Sequence, residues 1–335
     1  MRKWVIIIFL LLLIGVANAG KRALLVGISK YPQNSGWCEL SSNNDLQLLD
    51  SILKEHYNII IISENRATKK GIISAINDLR IHAQPGDTIL IHFSGHGQQM
   101  WSTDKYEPDL LDEAFVPYDA QKDSTAIYSG ENHLRDNELG SQINSIRKSV
   151  GSNGLVIVSI DACHSGSIDR ESKRDTSIVR GTFDIFGAVR SSADEARFKQ
   201  PDDTSRIDKG LLADVIYISA CAQYDINREI IVNGKGYGSL TYSLGQALVS
   251  PGTDNVVSFL DSIIAYMAQN QPLQSPKVRT SIEYKRKQET EEPLASNNTE
   301  GSHEDITTSP LIPIAIVVVI ISLIISLIWI RMKRK

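Results

Sequence analysis

The stretch Gly154-Leu155-Val156-Ile157-Val158-Ser159-Ile160-Asp161-Ala162-Cys163-His164-Ser165-Gly166 opens as a short, β-branched apolar run and closes on small and polar residues. That is the pattern of a strand buried on both faces and stopped at a surface. Cys163 stands where the strand emerges. In an open parallel α/β sheet, ligands bind at the carboxyl edge, so a thiol there is presented to a substrate rather than packed away.

Working outward from this strand, strand and helix patterns alternate. Residues 21–28 (KRALLVGI) read as a first buried strand, and residues 43–56 carry a helical apolar face at Leu46, Leu48, Leu49, Ile52 and Leu53. A strand follows at 58–62, a helix at 69–83, a strand at 87–93 after the Pro85-Gly86 turn, and a helix at 139–150. Such βαβ alternation predicts an α/β fold with a mainly parallel central sheet flanked by helices. Residues 167–210 are dominated by Asp, Arg, Lys, Ser and Thr and read as a long exposed loop, uncommon in a compact domain unless functional. Order returns with a strand at 211–220, helices near 240–249 and 257–268, and a last strand at 277–282.

The two ends of the chain carry a different signal. Residues 1–19 run from Arg2-Lys3 through an apolar stretch to Ala17-Asn18-Ala19, the order of a secretory signal peptide cleaved after Ala19; an uncleaved anchor is the alternative. Residues 311–330 are apolar but for Pro313, Ser322 and Ser326, and twenty helical residues span about 30 Å, a bilayer core. The basic tail 331–335 then belongs in the cytoplasm and the residues before the span on the far side, a single-pass membrane protein with its domain exported. Residues 285–310, charged and rich in Ser, Thr and Asn, read as a solvated stalk.

Of 35 basic and 39 acidic residues, setting aside Arg2, Lys3 and the four tail cations leaves 29 against 39 in the exported part, a net charge near −10. That balance argues against nucleic acid and for cationic substrates. Three cysteines, Cys38, Cys163 and Cys221, are too few for a disulfide framework and odd in number.

The strand at 87–93 ends in Phe93-Ser94-Gly95-His96-Gly97, a histidine between two glycines at a strand terminus. Histidine and cysteine at adjacent strand ends suffice for thiol catalysis: the imidazole takes the thiol proton and the sulfur attacks a carbonyl. The amides of Gly97 and Cys163 then face the oxyanion. Taken singly, Cys163 is as compatible with inert packing, and metal binding lacks a third ligand of fitting spacing.

These segments, in this order, together with Asp112-Glu113-Ala114 and Ile218-Ser219-Ala220-Cys221, resemble the caspase-like cysteine peptidases of peptidase family C14, most of all their metacaspase branch. The resemblance covers about residues 21–282. It implies the caspase-hemoglobinase fold over 21–284, with a larger part at 21–180 and a smaller part at 210–284. It implies His96 as general base and Cys163 as nucleophile, needing no cofactor for the chemistry. It also implies an acidic pocket of Asp45, Ser94 and Asp161 for the Arg or Lys before the cleaved bond of a protein or peptide substrate. A buried acid pair calls for a cation, although Asp45 also fits a helix N-terminal acid. The family's calcium positions correspond to Asp119, Asp136, Asn137 and Asp169, with Asn137 replacing an acid, which weakens a hard-cation site. Ser41-Ser42 and Ala222-Gln223-Tyr224-Asp225 depart from the family pattern at the outer pocket. Cations of the 167–210 loop, among them Lys173, Arg174, Arg180, Arg190, Arg197, Lys199, Arg206 and Lys209, make self-cleavage there an expectation. Two other functions stay open: a non-catalytic adaptor or receptor domain, and a Cys-His amidase or transpeptidase.

Overall fold

The structure, a computed structural model, describes residues 19–102, 111–163, 178–182, 184–187, 212–221, 226–253 and 255–282. The stalk and span at 285–330, and all of the signal segment but Ala19, lie outside them. Among the described residues no helix is long and apolar enough to cross a membrane.

The chain begins with β1 (Lys21–Gly27), α1 (Ser42–Leu53), β2 (Asn58–Ser63), α2 (Lys69–His82) and β3 (Thr88–Ser94). After three short strands, β4 (Gly97–Trp101), β5 (Leu111–Phe115) and β6 (Leu134–Arg135), come α3 (Asp136–Val150), β7 (Leu155–Asp161) and β8 (Asp214–Ser219). A hairpin of β9 (Glu229–Val232) and β10 (Lys235–Gly238) leads into α4 (Ser239–Val249), α5 (Val256–Asn270) and β11 (Lys277–Thr280).

Six strands form one sheet in the order β11-β8-β7-β3-β1-β2, parallel except for the antiparallel edge strand β11. The predicted larger and smaller parts thus share a single sheet. Alternate side chains of each strand enter opposite layers, as a period of two requires. Leu24, Val26, Ile89, Ile91, Phe93, Val156 and Val158 pack with α2 and α3, whereas Ala23, Leu25, Leu90 and Ile157 pack with α1, α4 and α5. Each fully buried Leu or Ile contributes roughly 1.5–3 kcal/mol, so both layers are needed.

The same alternation decides where polarity goes. His92 and Ser94 follow Leu90 on the α1–α4 side of β3, and Ser159 and Asp161 follow Ile157 on the same side of β7. Ser94 and Asp161 are register partners, so the carboxyl edge of the sheet ends in a polar step between two strands.

Two strand groups escape the sequence reading. The sheet β4-β5-β6 mixes Gln98, Gln99 and Glu113 with Met100, Ala114 and Phe115 and lacks a continuous apolar run. The hairpin β9–β10 turns on Asn233 (φ 52°) and Gly234 (φ 77°), the left-handed pair that a two-residue turn requires.

The 167–210 segment is not simply an exposed loop. Its described residues enter the fold: Arg180 is wholly buried and Phe186 is 4% exposed. A buried arginine tolerates that position because acids surround it, as set out next.

Candidate active site

The thiol of Cys163 and the imidazole of His96 both lie two residues beyond paired strand termini, after Asp161 of β7 and Ser94 of β3. Both residues are 1% exposed. His96 Nε2 lies 3.0 Å from the carbonyl oxygen of Cys38 and 3.6 Å from its Sγ. A carbonyl only accepts, so Nε2 carries the proton and Nδ1 is left as the acceptor. Nδ1 is buried with no hydrogen-bond partner among the described residues. The Trp37 ring stacks on the imidazole at 4.8 Å, and the His96 N–H donates to the Tyr31 hydroxyl at 3.1 Å. Burial pushes the His96 pKa down to about 4, helped by the charges of Arg180 and Lys122 against the Cys38 carbonyl. The ring is therefore neutral at pH 7. The Cys221 thiol lies 3.7 Å from that of Cys163.

Residues 178–181 cross this edge through two isolated bridges on either side of a bend at Arg180. Arg180 N–H donates to Asn227 O at 3.0 Å, Glu229 N–H donates to Ile178 O at 2.9 Å, and Val179 bridges Arg228 antiparallel. Gly181 bridges Gly97 in parallel. Between these pairings the Arg180 carbonyl oxygen accepts both the Cys163 N–H, at 2.8 Å, and the Gly97 N–H, at 3.3 Å. The two amides expected to face an oxyanion thus converge on one peptide carbonyl of the chain itself.

The side chain of Arg180 turns into the acid pocket. Its Nη1 donates to Ser94 Oγ at 2.8 Å, and its Nη2 donates to Asp45 Oδ2 at 2.7 Å and Glu229 Oε1 at 3.0 Å. Asp161 Oδ1 stands 3.8 Å from Nη1. Each acid is itself held: Asp45 by Ser94 Oγ and Gly238 N–H, Glu229 by Ser41 N–H, and Asp161 by Thr241 and Asn227. His92 reaches Thr241 Oγ1 from behind at 3.1 Å, and burial keeps that ring neutral, its pKa lowered to about 4. Gly238 closes the pocket wall, where a Cβ would meet the Asp161 carboxylate.

Burial raises the Asp45 pKa, offset in part by Arg180 and reinforced by Asp161. For Asp161 burial acts the same way, but Arg180, Thr241 and Asn227 outweigh it and hold the carboxyl below its usual range. Burial would deprotonate Arg180, yet Asp45, Asp161 and Glu229 hold its guanidinium charged.

All three expected pocket residues, Asp45, Ser94 and Asp161, come together, with Asp45 also in the first turn of α1. Glu229, Asn227 and Thr241 were not singled out from sequence. The expected metal donors behave differently: Asp119 accepts the Lys69 N–H at the start of α2, and Asp136 accepts the Asn137 N–H at the start of α3. Among the described residues no three His, Cys, Asp or Glu side chains group as a metal site, and Asp169 lies outside them. Tyr224 and Asp225 also fall outside.

Among solved structures, protein GSU0716 from Geobacter sulfurreducens superposes with a TM-score of 0.55 at 20% identity, covering 78% of this chain and 93% of that one, a likeness of fold. Metacaspase-1 of Eremothecium gossypii is 25% identical over 287 residues, 73% of this chain and 61% of its own length. Metacaspase-1 of Schizosaccharomyces pombe is 26% identical over 269 residues, 68% of this chain and 60% of its own length. The chain thus spans less than two thirds of the length of these relatives. Residues 20–294 match the model of the caspase domain, most of the chain, so the protein belongs to the caspase domain family of peptidases and is of the metacaspase type.

Proposed function

We propose that this protein is a cysteine endopeptidase that cuts after arginine, and that the bond between Arg180 and Gly181 is its first substrate. One observation carries the proposal: the Arg180 carbonyl receives the amides of Gly97 and Cys163 while its guanidinium fills the acid pocket. In this mechanism His96 Nδ1 takes the Cys163 proton as sulfur attacks the Arg180 carbonyl carbon. A neutral imidazole means that proton transfer accompanies attack, rather than a thiolate–imidazolium pair waiting beforehand. The two amides stabilise the oxyanion. The C–N bond breaks, His96 returns its proton to the Gly181 nitrogen, and water then hydrolyses the thioester, leaving a carboxylate on Arg180. Lysine places one nitrogen where arginine places two, and each lost charge-assisted bond costs about 1.5–3 kcal/mol, so arginine is favoured over lysine at least about tenfold.

The same reading keeps the chain on a bilayer through residues 311–330, supported by that apolar run and the cations after it. The test uses full-length protein expressed in cells. Wild type is expected to yield a fragment whose N-terminus is Gly181, Cys163→Ala to stay whole, and the piece with residues 311–330 to sediment with membranes. Equal masses for wild type and Cys163→Ala, with no labelling of Cys163 by an arginyl acyloxymethyl ketone, defeat the peptidase; a soluble full chain defeats the anchor.

The pocket also sets a pH dependence. Asp45 is raised even with arginine bound, and without the guanidinium it rises further, so arginine binding at neutral pH releases a proton. Acidification toward pH 6 protonates Asp45 of the empty pocket and weakens binding, whereas His96 stays neutral until about pH 4. The expected result for an Arg peptide is a KM that climbs as pH falls toward about 6 and levels off below it, while kcat holds. A kcat that falls first refutes this division of labour.

A further inference from the structure

We propose that the site requires glycine after the scissile arginine, so that its substrates are Arg-Gly bonds. This inference rests on the cleavage after arginine proposed above. It starts from the one prime-side residue next to the nucleophile. A Cβ built on residue 181 overlaps the carbonyl oxygen of Cys163 and lies 3.0 Å from the Cys163 Cβ. The obstacle is backbone, not the end of a flexible side chain that turns away.

On its upstream side Cys163 is held: its N–H donates to the Arg180 carbonyl, two residues beyond a strand paired on both sides by β3 and β8. Nor does the substrate chain have room to shift. The arginine before the bond is fixed by its guanidinium on Ser94, Asp45 and Glu229 and by its carbonyl on two amides, all of which any arginyl substrate must satisfy to react. The next residue pairs with Gly97 directly after that anchor. Two fixed ends and a wall between them leave space for a hydrogen and not for a methyl.

Upstream, the geometry asks for much less. Ile178 is 41% exposed and Val179 is only partly buried, so those positions engage through backbone pairing with Asn227 and Glu229 rather than through pockets. Recognition is concentrated on two consecutive residues, one long and cationic, one without a side chain. Flexible Arg-Gly-rich polypeptide answers both demands, because glycine also frees the chain to bend at the arginine on docking. Hydrolysis passes the acyl group of arginine to the Cys163 sulfur, releases the glycine amine with a proton from His96, and ends with water as the acyl acceptor.

The test offers the processed full-length protein the peptide of residues 176–185 and the same peptide with Gly181→Ala, cleavage being followed by mass spectrometry. The expected result is a kcat/KM at least tenfold higher for glycine, about 1.4 kcal/mol in the transition state. A companion measurement places Gly181→Ala in the full chain, where the fragment beginning at residue 181 should appear at least tenfold more slowly. Rates within twofold for the two peptides overturn the glycine requirement and leave arginine cleavage standing. No cleavage of either peptide overturns both.

Discussion

Replacing Asp161 by Ala is expected to lower kcat/KM for arginyl peptides by about 10²–10³-fold, while Cys163 keeps reacting with a small alkylating agent. The magnitude follows from the burial of the cluster: removing one partner of a buried ion pair costs about 3–5 kcal/mol because the other charges lose their counterpart. Asp161 is wholly buried, and it is the carboxylate whose charge is best secured, by Arg180, Thr241 and Asn227. Asp161→Asn keeps the shape and the Thr241 N–H bond and separates charge from packing. Its loss should approach that of Ala. Iodoacetamide labelling of Cys163 is the control, since it needs the thiol and not the pocket. Retention of Arg cleavage within tenfold in both variants would remove Asp161 from specificity.

The second large effect concerns Arg180 itself. In a Cys163→Ala background, where no cut is made, Arg180→Ala leaves Asp45, Asp161 and Glu229 facing one another without a guanidinium. The expected destabilisation at pH 8 is about 3–5 kcal/mol, a fall in Tm of roughly 10 °C for a domain this size. The sign with pH is fixed by the acids. Burial raises the Asp45 pKa even against the guanidinium, and with that charge gone it lies further above its unfolded value, so the folded state binds more protons and stability returns as pH falls. The Tm deficit should therefore shrink at pH 5.5, and agmatine, which carries the guanidinium alone, should shrink it at pH 8. An unchanged Tm at pH 8 would mean that the acids do not depend on this cation.

The sequence made the sheet edge readable because alternation is a two-residue rule. Once 87–93 and 154–161 are strands, the polar residues among their apolar neighbours, Ser94 and Asp161, are committed to one side and the termini carry His96 and Cys163 forward. Asp45 was readable as a helix-start acid as well as a pocket acid, and it is both at once. The occupant of the pocket was not readable in this way. Arg180 is one of nine cations in a polar stretch, and only contacts from far along the chain, at Asp45 and Glu229, make its burial possible. A local hint did exist in Ile178-Val179, two β-branched residues directly before Arg-Gly, which favour an extended chain. Glu229 was out of reach for a similar reason, since its role depends on the hairpin that Asn233-Gly234 turns. The dipeptide announces the turn but not which end of it faces the site.

Phe186 gives this arrangement a sense of time. Its ring sits edge-on to Tyr128 and beside His133, and its N–H is bonded to Gln99 O at 2.8 Å, five residues past Gly181. Breaking the peptide bond therefore detaches nothing at once: the upstream end stays zipped to the hairpin and the downstream end stays moored by an aromatic ring. In the proposed cleavage, scission and vacancy become two clocks, the first set by chemistry and the second by how fast the Arg180 guanidinium leaves its acids upstream and the Phe186 ring leaves its berth downstream. A newly cut molecule would still be closed to others, and the proposed activity toward foreign chains would begin after a delay set at these two moorings rather than at Cys163.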